Sequence, residues 1–261
     1  MPELPEIAFN KKYVDATALH KKITQLSFPD DSLLQAPKSH FDKALKGEEL
    51  EETTRLGKYL LIKISSGKWL VFHFGMTGKL VYYQNQETPK YTKMLLSFDN
   101  DYHLAYSCRR KLGKIYLAEG FEEFKKENEL GDDALELSEK QFLNLLTDKS
   151  GSIKGALTDQ HLLSGIGNVY SDEMLYQCGI HPKSKVDKLS EAEKKQLYKQ
   201  MKKVLKMAID KEGERSEFPS DYLINHRKDG EDCPKCSGKI KQIKVSGRST
   251  YFCPSCQKEQ K

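Results

Sequence analysis

SIKGALTDQHLLSGIGNVYSDEMLYQCGIHP, residues 152–182, decides the reading of this chain. Its opening apolar positions predict a short helix over residues 153–163, which runs into Ser164, Gly165, Ile166 and Gly167. Asn168 then opens a second helix that stops at Gly179, with Pro182 just beyond. Two glycines let the turn come close to another backbone, and the new helix start presents unpaired N–H groups. Such an end attracts anions, and on DNA the anion is a phosphate. An ordinary helical hairpin with a glycine-rich turn has the same pattern, so the rest of the chain must discriminate.

On either side the period is helical. Ser138 caps a helix carrying Phe142, Leu145 and Leu146. Ser190 and Glu193 have the spacing of a capping box, ahead of Leu197, Met201, Val204, Leu205 and Ala208 on one face. The first half reads differently. KYLLIKIS (58–65) and KWLVFHFGM (68–76) flank a turn, and KLVYY, MLLSFD, YHLAYS and KIYLAE follow as short runs rich in β-branched and aromatic residues. That spacing predicts a sandwich or barrel. A first helix is expected over residues 7–21, behind an extended lead-in stiffened by Pro2 and Pro5. The expected architecture is α+β: a β-sandwich domain with flanking helices (1–120), an acidic connector (121–139), a helical domain (140–224) and a cysteine module (225–261).

Composition narrows the class. With 38% hydrophobic and 31% charged residues in 261, the chain is globular and rather polar, and no stretch has the apolar length needed to span a bilayer. Nothing at its start looks like a secretory signal, so a reducing, cytoplasmic setting is expected. The net charge is +5, and residues 225–261, with nine Lys or Arg against four Asp or Glu, hold all of that surplus. A basic tail on a neutral body suits a polyanionic partner, although a merely solvated tail has the same composition.

Cys233, Cys236, Cys253 and Cys256 form CPKC and CPSC, sixteen residues apart. Each pair supplies two thiolates from one tight turn, and two turns complete a tetrahedron around one zinc ion. Four cysteines leave no place for a reacting water, so the metal is expected to be structural. Cys108 and Cys178 stand alone, as reduced structural thiols.

MPELPE at the start, RLGKYLL around Lys58, FHFGMTG around Met76, LTDQHLLSGIGNVYSDE around Asn168 and GRSTYFCPSCQ near the end occur in one order. Together they resemble the formamidopyrimidine-DNA glycosylase/endonuclease VIII family of base-excision-repair enzymes, over residues 2–257. The resemblance implies a β-sandwich domain, a helix–two-turn–helix domain with a zinc ribbon, and double-stranded DNA with a damaged base or abasic site bound between the domains. A monomer is the default.

The resemblance also implies roles. With Met1 removed, Pro2 exposes a secondary amine. An α-amino group has a pKa of about 7.7–8.0, so a useful fraction is neutral near pH 7 and able to displace a base at C1′. The resulting iminium acidifies C2′, and β,δ-elimination of the two phosphates follows. Glu3 shuttles protons, first to the sugar ring oxygen. Glu6 holds the N-terminus or is simply a helix-start carboxylate. Lys58 reaches DNA phosphate and assists base removal, where otherwise a strand-end lysine is merely solvated. Asn168 and Arg248 clamp phosphates around the lesion, with Lys154 and His73 as further phosphate contacts. Without the resemblance, His73 reads as an edge-strand histidine.

Met76, Arg110 and Leu112 match the wedges that fill the gap left by an everted base. Leu112 stands where the family pattern has phenylalanine, and a leucine cannot stack as broadly. Residues 213–226 are short, as in the endonuclease VIII type, whereas PELPE and FHFGMTG match the formamidopyrimidine type. Formamidopyrimidines and other oxidised or ring-opened bases are the expected substrates, with oxidised pyrimidines the alternative.

Overall fold

A computed structural model describes residues 1–260. The chain divides into two compact units: Met1–Pro2 with Glu6–Glu129, and Glu3–Pro5 with the chain from Leu130 onward.

The first unit is built on two four-stranded antiparallel sheets. In chain order its elements are α1 (Leu4–Thr17), β1 (Ile23–Ser27), α2 (Lys38–Leu45), β2 (Leu50–Leu56), β3 (Tyr59–Ile64), β4 (Trp69–His73), β5 (Gly78–Tyr83), β6 (Thr92–Phe98), β7 (His103–Cys108), β8 (Lys114–Ala118) and α3 (Phe121–Glu127). The strand orders are β1-β6-β7-β5 and β2-β3-β4-β8. Leu60, Ile62, Leu70 and Phe72 of one sheet share a core with Leu80, Met94, Leu96 and Tyr106 of the other, so the sheets form the expected sandwich. The ring of Phe72 stacks on that of Tyr106 at 5.1 Å. The other face of the second sheet carries Tyr59 and Tyr116, whose rings meet Phe124 of α3 edge-on, each at 5.2 Å. α3 lies inside the stretch read as a connector. β1 and β2 do not stand out in the sequence because most of their residues are exposed or part-exposed polar ones.

α1 starts at Leu4, three residues before the expected boundary. Pro5 does not stiffen an extended arm. It occupies the first helical turn, where the missing N–H costs nothing because that donor has no intrahelical partner.

The second unit carries β9 (Asp132–Asp133), α4 (Glu139–Leu145), α5 (Ile153–Thr158), β10 (Leu163–Ser164), α6 (Asn168–Cys178), α7 (Glu191–Asp210) and the hairpin β11 (Lys241–Val245) and β12 (Arg248–Phe252). Both expected caps are present: Ser138 and Gln141 close a capping box on α4, and Ser190 and Glu193 close one on α7. α6 ends at Gly179 in the left-handed conformation, φ 68°. The helix expected over residues 153–163 ends early at Thr158. Leu163 and Ser164 instead pair in parallel with Asp132 and Asp133. Gln160 enforces the turn, its side chain donating to Ile166 O (2.8 Å) and accepting from Gly165 N (3.1 Å). Among the described residues no helix is long and apolar enough to cross a membrane.

Candidate active site and metal centre

The glycine turn before α6 receives Glu3 from 164 residues away. Glu3 Oε2 accepts the Gly167 N–H at 2.6 Å and the Tyr170 N–H at 3.4 Å, and Oε1 accepts the Val169 N–H at 2.9 Å. Leu4 N donates to Gly165 O at 3.1 Å. A Cβ at Gly165 would lie 2.6 Å from Leu4 Cδ1, and one at Gly167 would lie 2.5 Å from Glu3 Oε1. Three amides of this helix start are therefore taken by the chain's own carboxylate. Glu3 is 2% exposed. Pro2 immediately before it is half-buried, and Met1 is exposed. Glu6 lies in the first turn of α1, where a carboxylate meets the positive end of the helix.

In the first unit, Lys58 follows Gly57, whose φ of 56° reverses the chain between β2 and β3. Lys58 is 7% exposed, which sets aside the solvated strand-end reading. His73 does not sit on an edge strand, because β4 lies between β3 and β8 and His73 pairs with Tyr59 and Lys114. Burial, then the charges of Lys58 and Lys114, push its imidazole down to about 4. It is neutral near pH 7, so it can offer a hydrogen bond but not a positive charge.

Met76, Arg110 and Leu112 belong to two loops that the structure brings together. Gly75, at φ 56°, lies so close to the second loop that a Cβ there would collide with the Leu112 carbonyl and come within 2.6 Å of Gly113 N. Arg110 N donates to Thr77 Oγ1 at 3.0 Å, and Tyr106 OH donates to His73 O at 2.9 Å beneath both loops. Met76 is 40% exposed and Leu112 50%, which is unusual for large apolar side chains on an otherwise polar surface.

In the second unit, Asn168 and Arg248 are brought together. Asn168 Nδ2 donates to Ser249 O at 2.8 Å, tying the start of α6 to the residue after Arg248. That bond uses one of two amide hydrogens, and the exposed Arg248 guanidinium spends one bond on Ser246 O (3.2 Å), so both retain free donors. Lys154 does not fit its expected phosphate contact. It is fully enclosed (0% exposed) and bonded to Asp172. Asp172 also takes Arg227 NH2 at 2.8 Å and Tyr251 N at 3.1 Å. This network joins α5, α6 and β12, and removing one partner of such an enclosed set costs about 3–5 kcal/mol. Neighbouring Glu173 is also buried, its carboxyl pushed up to about 7 by burial. It accepts Ile224 N at 2.7 Å and so fixes the end of the 213–226 segment. Asp172, Glu173 and Arg227 were not singled out from sequence. Two acids set among Val169, Tyr170, Met174 and Leu175 were the available signal.

The four cysteines converge. Their sulfur atoms all lie within 4.8 Å of one another. Cys233–Cys256, Cys236–Cys253 and Cys236–Cys256 are 3.7, 3.6 and 3.3 Å apart. A tetrahedron with Zn–S bonds of about 2.3 Å has edges of about 3.8 Å, so the donor set fits one zinc ion with every position filled by protein. An ion held by these four sulfurs would crosslink the ribbon core of Tyr176, Leu223, Ile240 and the cysteines. Gly238 N donates to Cys236 Sγ at 3.3 Å. Because a structural zinc supplies about 10–16 kcal/mol, Cys253→Ser or chelation is expected to release one zinc per chain and unfold β11 and β12. Metal content and amide exchange of the hairpin measure this.

Three family models match successive parts of the chain: the formamidopyrimidine-DNA glycosylase N-terminal domain over residues 1–115, the H2TH domain of the same enzymes over 130–220, and the zinc finger found in FPG and IleRS over 230–258. The fold is thus that of a DNA glycosylase/AP lyase. The chain belongs to the formamidopyrimidine-DNA glycosylase family. The formamidopyrimidine-DNA glycosylase of Pelotomaculum thermopropionicum is 32% identical, covering 99% of both chains. The Lactococcus lactis Fpg in complex with DNA containing an abasic site superposes with a TM-score of 0.89 at 28% identity, covering 98% of this chain and 100% of that one. A variant of that enzyme with Fapy-dG-containing DNA gives a TM-score of 0.90 at 29% identity, covering 99% and 100%.

Proposed function

We propose that the chain is a base-excision-repair enzyme that releases oxidised or ring-opened bases from double-stranded DNA and cuts the strand by β,δ-elimination, with formamidopyrimidines favoured. The observation that carries this reading is the lodging of Glu3 on three amides at the start of α6, those of Gly167, Val169 and Tyr170. A carboxylate fixed at position 3 anchors the adjacent residue 2, whose nitrogen becomes a nucleophile once Met1 is removed.

In the reaction, Pro2 N attacks C1′, the bond from C1′ to the base breaks, and the base leaves with a proton. Glu3 delivers a proton to the ring oxygen as the sugar opens, giving an iminium that holds its positive charge without a proton on nitrogen. Loss of the C2′ proton expels the 3′ phosphate, and a second elimination expels the 5′ phosphate. Lys58, Asn168, Arg248 and the neutral His73 hold phosphates around the lesion. Met76, Arg110 and Leu112 fill the gap in the stack. Lys154 acts behind Asn168, through Asp172, rather than on DNA directly. The enzyme acts as a monomer in the cytoplasm.

An alternative substrate class, oxidised pyrimidines, is favoured by the short 213–226 segment, which holds only two 3₁₀ turns, Arg215–Glu217 and Leu223–Asn225. Borohydride trapping on duplexes that each carry one lesion tests both readings. The expected result is a covalent adduct, strongest with formamidopyrimidine and the abasic site. Strongest trapping with thymine glycol or dihydrouracil favours the pyrimidine reading. Salt-sensitive DNA binding without any adduct makes the chain a non-catalytic binder of damaged DNA.

A further inference from the structure

The loop that carries Arg110 and Leu112 is held at both ends: the Arg110 N–H donates to the Thr77 hydroxyl, and the Leu112 carbonyl packs on the Gly75 backbone. Its apex is Lys111, in the left-handed region at φ 51°, a conformation unfavourable for a residue other than glycine. Charge holds it there. Lys111 Nζ lies 2.8 Å from Asp30 Oδ2, and the same oxygen takes Lys93 Nζ at 2.5 Å. Asp30 Oδ1 accepts the Ser32 N–H at 3.0 Å. Lys93 on β6 is buried, and an enclosed ammonium needs its carboxylate, so Asp30 is anchored from below and by its own turn. Lys111 is the exposed third member. The ammonium groups of Lys111 and Lys93, with Ser32, hold the Asp30 carboxyl well below the usual carboxylate range, so the cluster stays charged at any working pH.

We propose that Asp30 is a positioning residue for reading the opposite base: fixed on Lys93, it holds Lys111 and so sets the loop apex from which Arg110 and Leu112 face the undamaged strand. The inference rests on the function proposed above. An exposed ion pair adds little stability; here its effect is geometric. Lys111 stands between Arg110 and Leu112, and a short loop pinned at both ends and at its apex has one way to present them. With leucine in place of a broad aromatic wedge, discrimination depends more on where the loop is held.

The test is a double-mutant cycle on the zinc-loaded full chain with Asp30→Asn, Lys111→Met and both together. The readout is the ratio of excision rates for formamidopyrimidine-guanine opposite cytosine and opposite adenine. Each single variant is expected to lower the ratio about 5-fold and the double variant no further. Cleavage at an abasic site in single-stranded DNA, which has no stack to fill and no opposite base, changes less than about 2-fold by the same coupling argument. Lys111→Arg, which keeps the ion pair, retains the ratio. Lys111→Met leaves the Asp30–Lys93 pair intact, so it remains informative if Asp30→Asn does not fold. Additive effects, or an unchanged ratio in Lys111→Met, overturn the inference. So does tighter binding of undamaged duplex by Asp30→Asn with weaker binding by Lys111→Met, the signature of a lysine that simply contacts phosphate. A wild-type chain that forms no borohydride adduct overturns the proposed function and this inference with it. An active wild type with an unchanged ratio in the variants overturns the inference alone.

Discussion

A chain whose N-terminus is blocked, by retained Met1 or by one added residue, forms no borohydride adduct with abasic-site DNA and loses at least ~10³-fold in strand cutting. The nitrogen of residue 2 is then an amide, with its lone pair delocalised into the carbonyl, and cannot attack C1′. Pro2→Gly is a milder change. Its primary amine still attacks, but the imine it forms must pick up a proton before it withdraws electrons from C2′. Trapping is expected to persist while turnover falls about 100-fold, the lower end of the range for a positioned proton transfer. Mass spectrometry of the purified protein reports whether Met1 is present, and gel-resolved adducts report the chemistry. An adduct formed by the blocked chain would remove the nucleophile from position 2.

The second large effect is expected at Gly167, which has no side chain and contributes only its backbone N–H to Glu3. Its backbone, at φ −123° and ψ −154°, is open to any residue, so alanine there is not strained. The added Cβ lands 2.5 Å from Glu3 Oε1, a collision with a carboxylate held on three amides rather than with a side-chain end free to swing away. Displacing it breaks charge-assisted bonds of about 1.5–3 kcal/mol each, and losing two corresponds to about 10²–10⁴-fold in base release. Glu3→Gln should behave similarly, since its NH2 group faces an N–H that needs an acceptor. In both variants single-turnover release of the base falls by at least ~10²-fold, while processing of a preformed abasic site, which depends on Pro2, falls about 10-fold or less. Gly120→Ala, where a Cβ meets nothing within 4 Å, is the control. Equal loss on both substrates would mean that Glu3 is structural only.

Much of the architecture was legible because its signals are local. A cap and its partner lie three residues apart, so Ser138 with Gln141 and Ser190 with Glu193 close their boxes without reference to the rest of the chain. A CxxC turn brings two sulfur atoms together through its own geometry. Alternating strands such as β3 and β4 follow from their runs of β-branched and aromatic residues. Signals failed where a neighbour distant in sequence decided the outcome. Lys154 reads as a solvent-facing cation until Asp172 and Arg227 enclose it. His73 reads as an edge residue until β8 covers the open side of β4.

By itself, then, the sequence determined the metal site, the helix caps, the strand-rich first half and the presence of a glycine turn built for an anion. Each depends on residues within a turn or two of one another, where backbone geometry leaves few options. Only the tertiary structure decided which anion fills that turn. Glu3 arrives from 164 residues upstream, and the energy of three amides meeting one carboxylate exists only after the two segments are folded together.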